Sequence, residues 1–328
     1  MKSAQLNAIG PADQTVRCVD VPDPGNPGAG EVLVDMVACS INPADILSIE
    51  GNYATQPTPP CGLGIEGAGT VAAVGSGVTH LKAGDKVMSL GRTNWTQRIR
   101  DKAQAFVLLP PEIDLAQAAM LKVNVATAHL MLTRFVALGR GDWVIQNVAN
   151  SGVGVDLIRL AHAEGIRTVN VVRRAELIGE LKQMGADVVV VDGPELAQRV
   201  DRETGGATLR LGIDAVAGAA TGRLAQCLAE GGTVVNYGLM SGEPVQVDAF
   251  QFVFRDIHLV GFWLAKMMRA MSFDEIQSMY AALAARLVDG TIHVAVEASY
   301  PLESIAEAMA HAKRESRGGK VQLRPGAH

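Results

Sequence analysis

From residue 142 to residue 263 the chain alternates short, β-branched apolar runs with amphipathic stretches of helical period. This rhythm constrains the fold more than any other feature. The runs "DWVIQNV", "RTVNVV", "DVVVVD", "LRLGIDAV", "TVVNYG" and "HLVGFW" read as strands. Between them, "GVDLIRLAHAEG", "AELIGELKQMG", "PELAQRVDRETG" and "ATGRLAQCLAEG" read as helices. Strands that are apolar at consecutive positions are covered on both faces, and strands joined through helices run parallel. Six of them in this order predict an α/β fold with a doubly wound, six-stranded parallel sheet.

The remaining sequence has a different texture. With 328 residues the chain exceeds one ordinary core, so a second domain is expected. Up to about residue 120 it reads as mostly β, with Val-rich runs such as "EVLVDMVACSI" and "GAGTVAAVGSGV" between glycines and prolines. After Trp263, two amphipathic helices near 272–288 and 302–313 flank a strand in "IHVAVEASYPL", and "GGKVQLRP" follows. These pieces cannot simply extend a parallel sheet and are expected to return to the first domain. The predicted division is 1–121, 122–264 and 265–328.

Several partner classes drop out. A net charge of -5 argues against nucleic acid, whose phosphates demand a basic surface. Aromatic residues make up only 4%, too few for broad stacking platforms. No apolar run approaches the ~20 residues of a membrane span. Cys18, Cys39, Cys61 and Cys227 form no Cys-x-x-Cys pair, which excludes a zinc knuckle and suggests a reducing compartment. The opening "MKSAQLNAIG" has no targeting pattern, so a cytoplasmic location is expected.

The candidate binding loop is "VIQNVANSGVG", residues 144–154. A buried strand runs into Asn150, Ser151, Gly152 and Val153, and a helix begins there. Glycines let backbone approach a pyrophosphate, and a helix N-terminus offers free N–H groups and a favourable dipole. On the first strand of such a sheet this predicts a dinucleotide site. The second strand ends in Arg173 and Arg174, where an NAD enzyme carries a ribose-binding acid. A guanidinium suits a 2′-phosphate, so the expected cofactor is NADPH.

A β-rich front domain joined to such a sheet resembles the medium-chain dehydrogenase/reductase superfamily. That resemblance implies a GroES-like catalytic domain and a Rossmann domain. Where its zinc alcohol dehydrogenases carry catalytic metal ligands, this chain reads Asn42, Ile65 and Lys122, which cannot together bind zinc. No metal is therefore expected.

Closer still, "INPADI", "EGNY", "VIQNVANSGVG", "NVVR", "NYGLMSG" and "GFWL" resemble the mitochondrial-type trans-2-enoyl thioester reductases. The resemblance implies NADPH-dependent reduction of the 2,3 double bond of enoyl-ACP or enoyl-CoA. It gives Tyr53 the catalytic role. To cofactor binding it assigns Asn124, Asn150, Ser151, Gly152, Val153, Arg173, Tyr237, Gly238, Leu239, Met240, Phe262, Trp263, Leu264 and Lys320, with Arg174 as a second basic residue. The chain departs from that family at Lys122 and Val125, where glycine and proline are usual, at His129, where tyrosine is usual, and at Ala54. Two alternatives stand beside this reading: a zinc-independent NADPH quinone oxidoreductase, and a non-enzymatic NADPH-binding protein. The apolar strand "HLVGFW" at the sheet edge predicts a homodimer.

Overall fold

Residues 1–314 and 317–326 are described by a computed structural model. The chain divides into two units, Asn124–Met271 and the pair of segments Met1–Val123 and Ser272–His328.

In the unit Asn124–Met271, six parallel strands lie in the order Val188–Val191, Arg167–Val172, Trp143–Asn147, Leu209–Asp214, Thr233–Asn236, His258–Gly261. The sequence rhythm explains the packing. Val169, Val171, Val188 and Val190 face one buried cluster, while Val172 and Val189 face another. Successive side chains point to opposite faces, and helices cover both, so apolar residues stand at consecutive positions and the buried polar ones, such as Thr168 and Asn170, hydrogen-bond each other. Strand order reverses between Trp143–Asn147 and Leu209–Asp214, the point where such sheets open a crevice beyond their carboxyl ends.

A further short helix, Leu264–Arg269, follows the last strand, where the sequence suggested only the end of a strand. Trp263 stands at its N-terminus, and Arg269 lies over the indole, 5.0 Å from the ring centroid.

The other unit is built on a seven-stranded sheet. Its main path runs Val296–Tyr300, Lys320–Leu323, Glu31–Ser40, Glu66–Val74, Lys86–Ser89, Phe106–Leu108, and Arg98–Lys102 pairs with Glu31–Ser40. Gln322 and Leu323 pair with Ser40 and Cys39, and the helix Ile305–Ala312 packs Ile305, Ala308 and Met309 into the same core as Leu6, Val34 and Phe106. Lys122 and Val123 belong to this unit, held by hydrogen bonds described below. The strand expected across "IHVAVEASYPL" is shorter, Val296–Tyr300. Ahead of it the Gln117 side chain bonds both the N–H and the C=O of Val294, taking the place of a neighbouring strand. The unit also carries a helix, Pro43–Ile49, inside what reads as β sequence.

Gly69 shows how closely the strands of this sheet approach. A Cβ there would lie 2.2 Å from the Asp35 carbonyl oxygen and 2.9 Å from Val34 Cγ1. Gly69→Ala should therefore destabilise the protein by about 1–3 kcal/mol through overpacking. A circular-dichroism melt is the check, and an unchanged melting temperature would contradict the packing account.

Candidate active site

The site-forming end of the parallel sheet is organised by one carboxylate. Asp214, fully buried, closes the fourth strand. Its Oδ1 accepts from Asn147 Nδ2 at 2.6 Å and from the N–H groups of Val216 and Ala217. Its Oδ2 accepts from the Thr221 hydroxyl at 2.5 Å and from Asn236 Nδ2 at 2.9 Å. Asn147 and Asn236 close the first and fifth strands, so three adjacent strands are tied together at their carboxyl ends. The loops leaving those strands inherit the constraint. Asn147 Oδ1 accepts from the Ala215 N–H, and Asn236 Nδ2 also donates to the Gly238 carbonyl. The Tyr237 N–H donates to the Asp214 carbonyl, and the Phe262 N–H to that of Asn236.

Two non-glycine residues beside this hub hold positive φ, Val148 at 50° and Ala217 at 65°. Such conformations cost free energy and persist only where surrounding structure enforces them; they concentrate at functional sites. Val148 follows the first strand directly and Ala217 lies three residues past the fourth, so the two flank the strand-order reversal.

The glycine-rich loop follows Val148. Ser151 caps the helix Gly152–Glu164, its hydroxyl accepting from the Gly154 N–H at 3.1 Å. A Cβ on Gly154 would lie 2.5 Å from the Ala149 carbonyl oxygen, so this turn admits only glycine. Gln146 braces it, donating to the Gly154 carbonyl and to Asn170 Oδ1 on the second strand. The Tyr237 side chain hydrogen-bonds Ser151, which brings the fifth-strand loop onto the glycine loop; burial pushes the phenol up to about 12. This cradle of backbone, helix N-terminus and capped serine fits a pyrophosphate. Arg173 and Arg174 stand exposed just past the second strand, with no acid at its end. Phe262 is buried edge-on against Phe135, Trp263 and Leu264 open the following helix, and Leu239 and Met240 are exposed. Asn124 lies half-buried in the π-helical turn Leu121–Val125.

In the other unit, Tyr53 is half-buried in a bend after the helix Pro43–Ile49. Gly51, with φ 78°, reverses the chain there, and the Asn52 N–H donates to the Leu47 carbonyl. Asn42 begins that helix. Asp45 accepts the N–H groups of Asn42 and Ile65; burial pushes its carboxyl up to about 7 while these donors pull it down. Asn42 Nδ2 donates to Glu66 Oε2 at 2.6 Å, and Lys320 Nζ donates to Asn42 Oδ1.

Lys122 Nζ donates to the carbonyls of Ile65, Leu90 and Gly91 at 2.7, 2.8 and 2.6 Å. Part of its stem is exposed, but its ammonium is enclosed. Burial pushes that group down to about 7, against the pull of Glu66. Asn42 and Lys122 are thus engaged with protein groups, and Ile65 is apolar: this donor set does not suit zinc. Among the described residues no group of three or more His, Cys, Asp or Glu is placed to hold a metal ion.

Asp214, Asn147, Asn236 and Glu66 were not singled out by sequence reasoning. The available signal was a carboxylate following the apolar run Leu211–Ile213 in "LRLGIDAV" and a strand ending in Asn147.

A glycine-rich cradle at the switch point of a parallel sheet, beside a separate β-rich unit, defines a two-domain nicotinamide-dependent dehydrogenase or reductase. Residues 28–108 match the alcohol dehydrogenase GroES-like domain, and residues 152–285 match the zinc-binding dehydrogenase family. The chain is 37% identical over 286 residues to the mitochondrial enoyl-[acyl-carrier-protein] reductase of Rattus norvegicus, covering 85% of this chain and 77% of that protein. It is 34% identical over 304 residues to the enzyme of the same name from Dictyostelium discoideum, covering 89% and 86%. The chain belongs to the medium-chain dehydrogenase/reductase superfamily and, within it, to the family of the mitochondrial enoyl-[acyl-carrier-protein] reductases. Among solved structures, a mycobacterial quinone oxidoreductase superimposes with a TM-score of 0.88 at 29% identity, covering 99% of this chain and 100% of that one. A mutant of Etr1p in complex with NADP and crotonyl-CoA gives a TM-score of 0.87 at 24% identity over 98% of each chain, a likeness of fold.

The hub makes a direct prediction. Asparagine at 214 would offer one acceptor oxygen and turn an NH2 toward donors. Asp214→Asn should cost about 1–3 kcal/mol for each buried donor left unpaired. Chemical denaturation should show a lower midpoint with an unchanged slope. A midpoint equal to wild type would remove Asp214 from its organising role.

Proposed function

We propose that this protein is an NADPH-dependent, zinc-independent reductase of trans-2-enoyl thioesters carried on ACP or CoA. The observation that carries the reading is the identity of 34–37% to enoyl-[acyl-carrier-protein] reductases over most of the chain. The unit Asn124–Met271 is the NADPH-binding domain in this reading, and the remaining unit is the catalytic domain. Asn150, Ser151, Gly152 and Val153 hold the pyrophosphate. Arg173 and Arg174 take the 2′-phosphate, while Tyr237, Gly238, Leu239, Met240, Phe262, Trp263 and Leu264 line the nicotinamide side. Asn124 and Lys320 contact the cofactor.

Bound NADPH supplies the hydride that the β-carbon receives. Charge then builds on the thioester oxygen, and a proton must reach the α-carbon. Tyr53 is the acid in this scheme, its hydroxyl serving the enolate oxygen or the α-carbon. Quinone reduction is the second reading, favoured by the likeness to the mycobacterial quinone oxidoreductase, and it needs no such acid.

We further propose a homodimer formed through the edge strand His258–Gly261. Leu259 on that strand is exposed, and so are Phe250, Val253 and Phe254 just before it. Such an apolar edge is ordinarily covered. Light scattering should give twice the chain mass, and a monomer at micromolar concentration would refute the dimer. The four cysteines are unpaired, which suits the cytoplasm. Among the described residues no helix is long and apolar enough to cross a membrane.

The decisive assay follows NADPH oxidation with crotonyl-CoA beside a quinone. NADPH should exceed NADH by at least ~10-fold in kcat/KM, as one charge-assisted contact is worth ~1.5–3 kcal/mol. Tyr53→Phe should lower kcat for crotonyl-CoA by ~10²–10⁴-fold with KM nearly constant, and spare any quinone activity. Wild-type kcat in that variant would remove Tyr53 from the chemistry. Turnover of quinone alone would establish the second reading.

A further inference from the structure

Glu66 is fully buried and uses both oxygens: Oε1 accepts from the Val123 N–H at 2.6 Å, and Oε2 accepts from Asn42 Nδ2. The Asn42 amide, itself buried, is clamped between this carboxylate and the Lys320 ammonium. Turned the other way, it would set its NH2 against an ammonium and its oxygen against a carboxylate. The carboxylate and the ammonium together set which way the amide faces, so the carboxylate holds the amide oxygen turned toward Lys320. A buried carboxylate needs a compensating cation nearby.

Lys122 is placed to supply one: its ammonium bonds the carbonyl of Ile65, the residue before Glu66, and the N–H of the next residue, Val123, bonds Glu66 itself. Its three ammonium hydrogens are spent on three carbonyls from two separate stretches of chain, residues 65 and 90–91. Its own backbone is fixed from both sides, by the Val123 N–H on Glu66 and by the Tyr280 hydroxyl, which donates to the Lys122 carbonyl. Arg92 and Asp45 act on the ammonium in opposite directions, Arg92 lowering and Asp45 raising its hold on the proton.

We propose that Lys122 is a positioning residue: its ammonium neutralises the Glu66 carboxylate, Glu66 orients the Asn42 amide, and the amide holds the Lys320 ammonium in place. The relay runs entirely within one unit and uses a side chain where the resembling family has glycine. Its effect on cofactor binding rests on the NADPH reading above; its effect on Lys320 does not.

The test is a double-mutant cycle on NADPH affinity, read by fluorescence at one fixed pH on the acid side of neutrality. Lys122→Met and Lys320→Met should each weaken NADPH about tenfold, one charge-assisted contact's worth, and the double variant should bind no more weakly than Lys320→Met alone. Losses that multiply in the double variant would overturn the relay.

A second measurement is independent of NADPH and of the Lys122 variant's folding. The Lys320 side-chain NMR signals, assigned with Lys320→Arg, should move in Glu66→Gln, which keeps shape and removes charge. Unmoved signals would also overturn the relay. A wild-type protein that bound no NADPH would defeat the functional reading, and the NMR result would still decide the relay.

Discussion

The convergence of five donors on the Asp214 carboxylate is the interaction on which the cofactor-binding unit depends. A parallel sheet holds its strands by slanted backbone bonds, and those bonds stop where the strands stop. The loops beyond have no ladder to copy. Asp214 extends order past that limit by gathering the ends of three strands and the first turns of two loops on one buried charge. Positive φ at Val148 and Ala217 is tolerable because this network holds the residue before the one, Asn147, and the N–H of the other. The loops are thus anchored by the protein's own groups, which limits what must be ordered on binding.

The β-rich unit solves a related problem with different chemistry. Its polar centre is buried in pieces: the Asp45 carboxylate on two backbone N–H groups, Glu66 on another backbone N–H and an amide, and Lys122 on three carbonyls. Each group is met by a dipole of the right sign. A buried polar network of this kind stabilises little in sum but penalises every alternative arrangement.

The α/β class and the six-stranded sheet were legible because cover on both faces forces consecutive apolar residues, a pattern clearest in "TVNVV" and "VVVV" and repeated between helices along the chain. The helix Leu264–Arg269 was not legible, since Phe262, Trp263 and Leu264 continue an apolar run that began as strand. The glycine loop could be found from its neighbours in sequence, as its function is local. Asp214 could not, because its meaning lies in Asn147 and Asn236, dozens of residues away. Lys122 was visible only as an unusual residue at its place; that its ammonium meets the carbonyls of Ile65, Leu90 and Gly91 is a fact of tertiary structure.

A cation carried on a side chain has no dissociation constant. An ion held in a cage of oxygens is lost by dilution, displaced by a competitor or stripped by a chelator. The ammonium of Lys122 is delivered with the polypeptide, one per chain, at the moment of synthesis. The carbonyls of Ile65, Leu90 and Gly91 are therefore met by a donor that arrives with the chain, and what that donor answers to is pH rather than dilution.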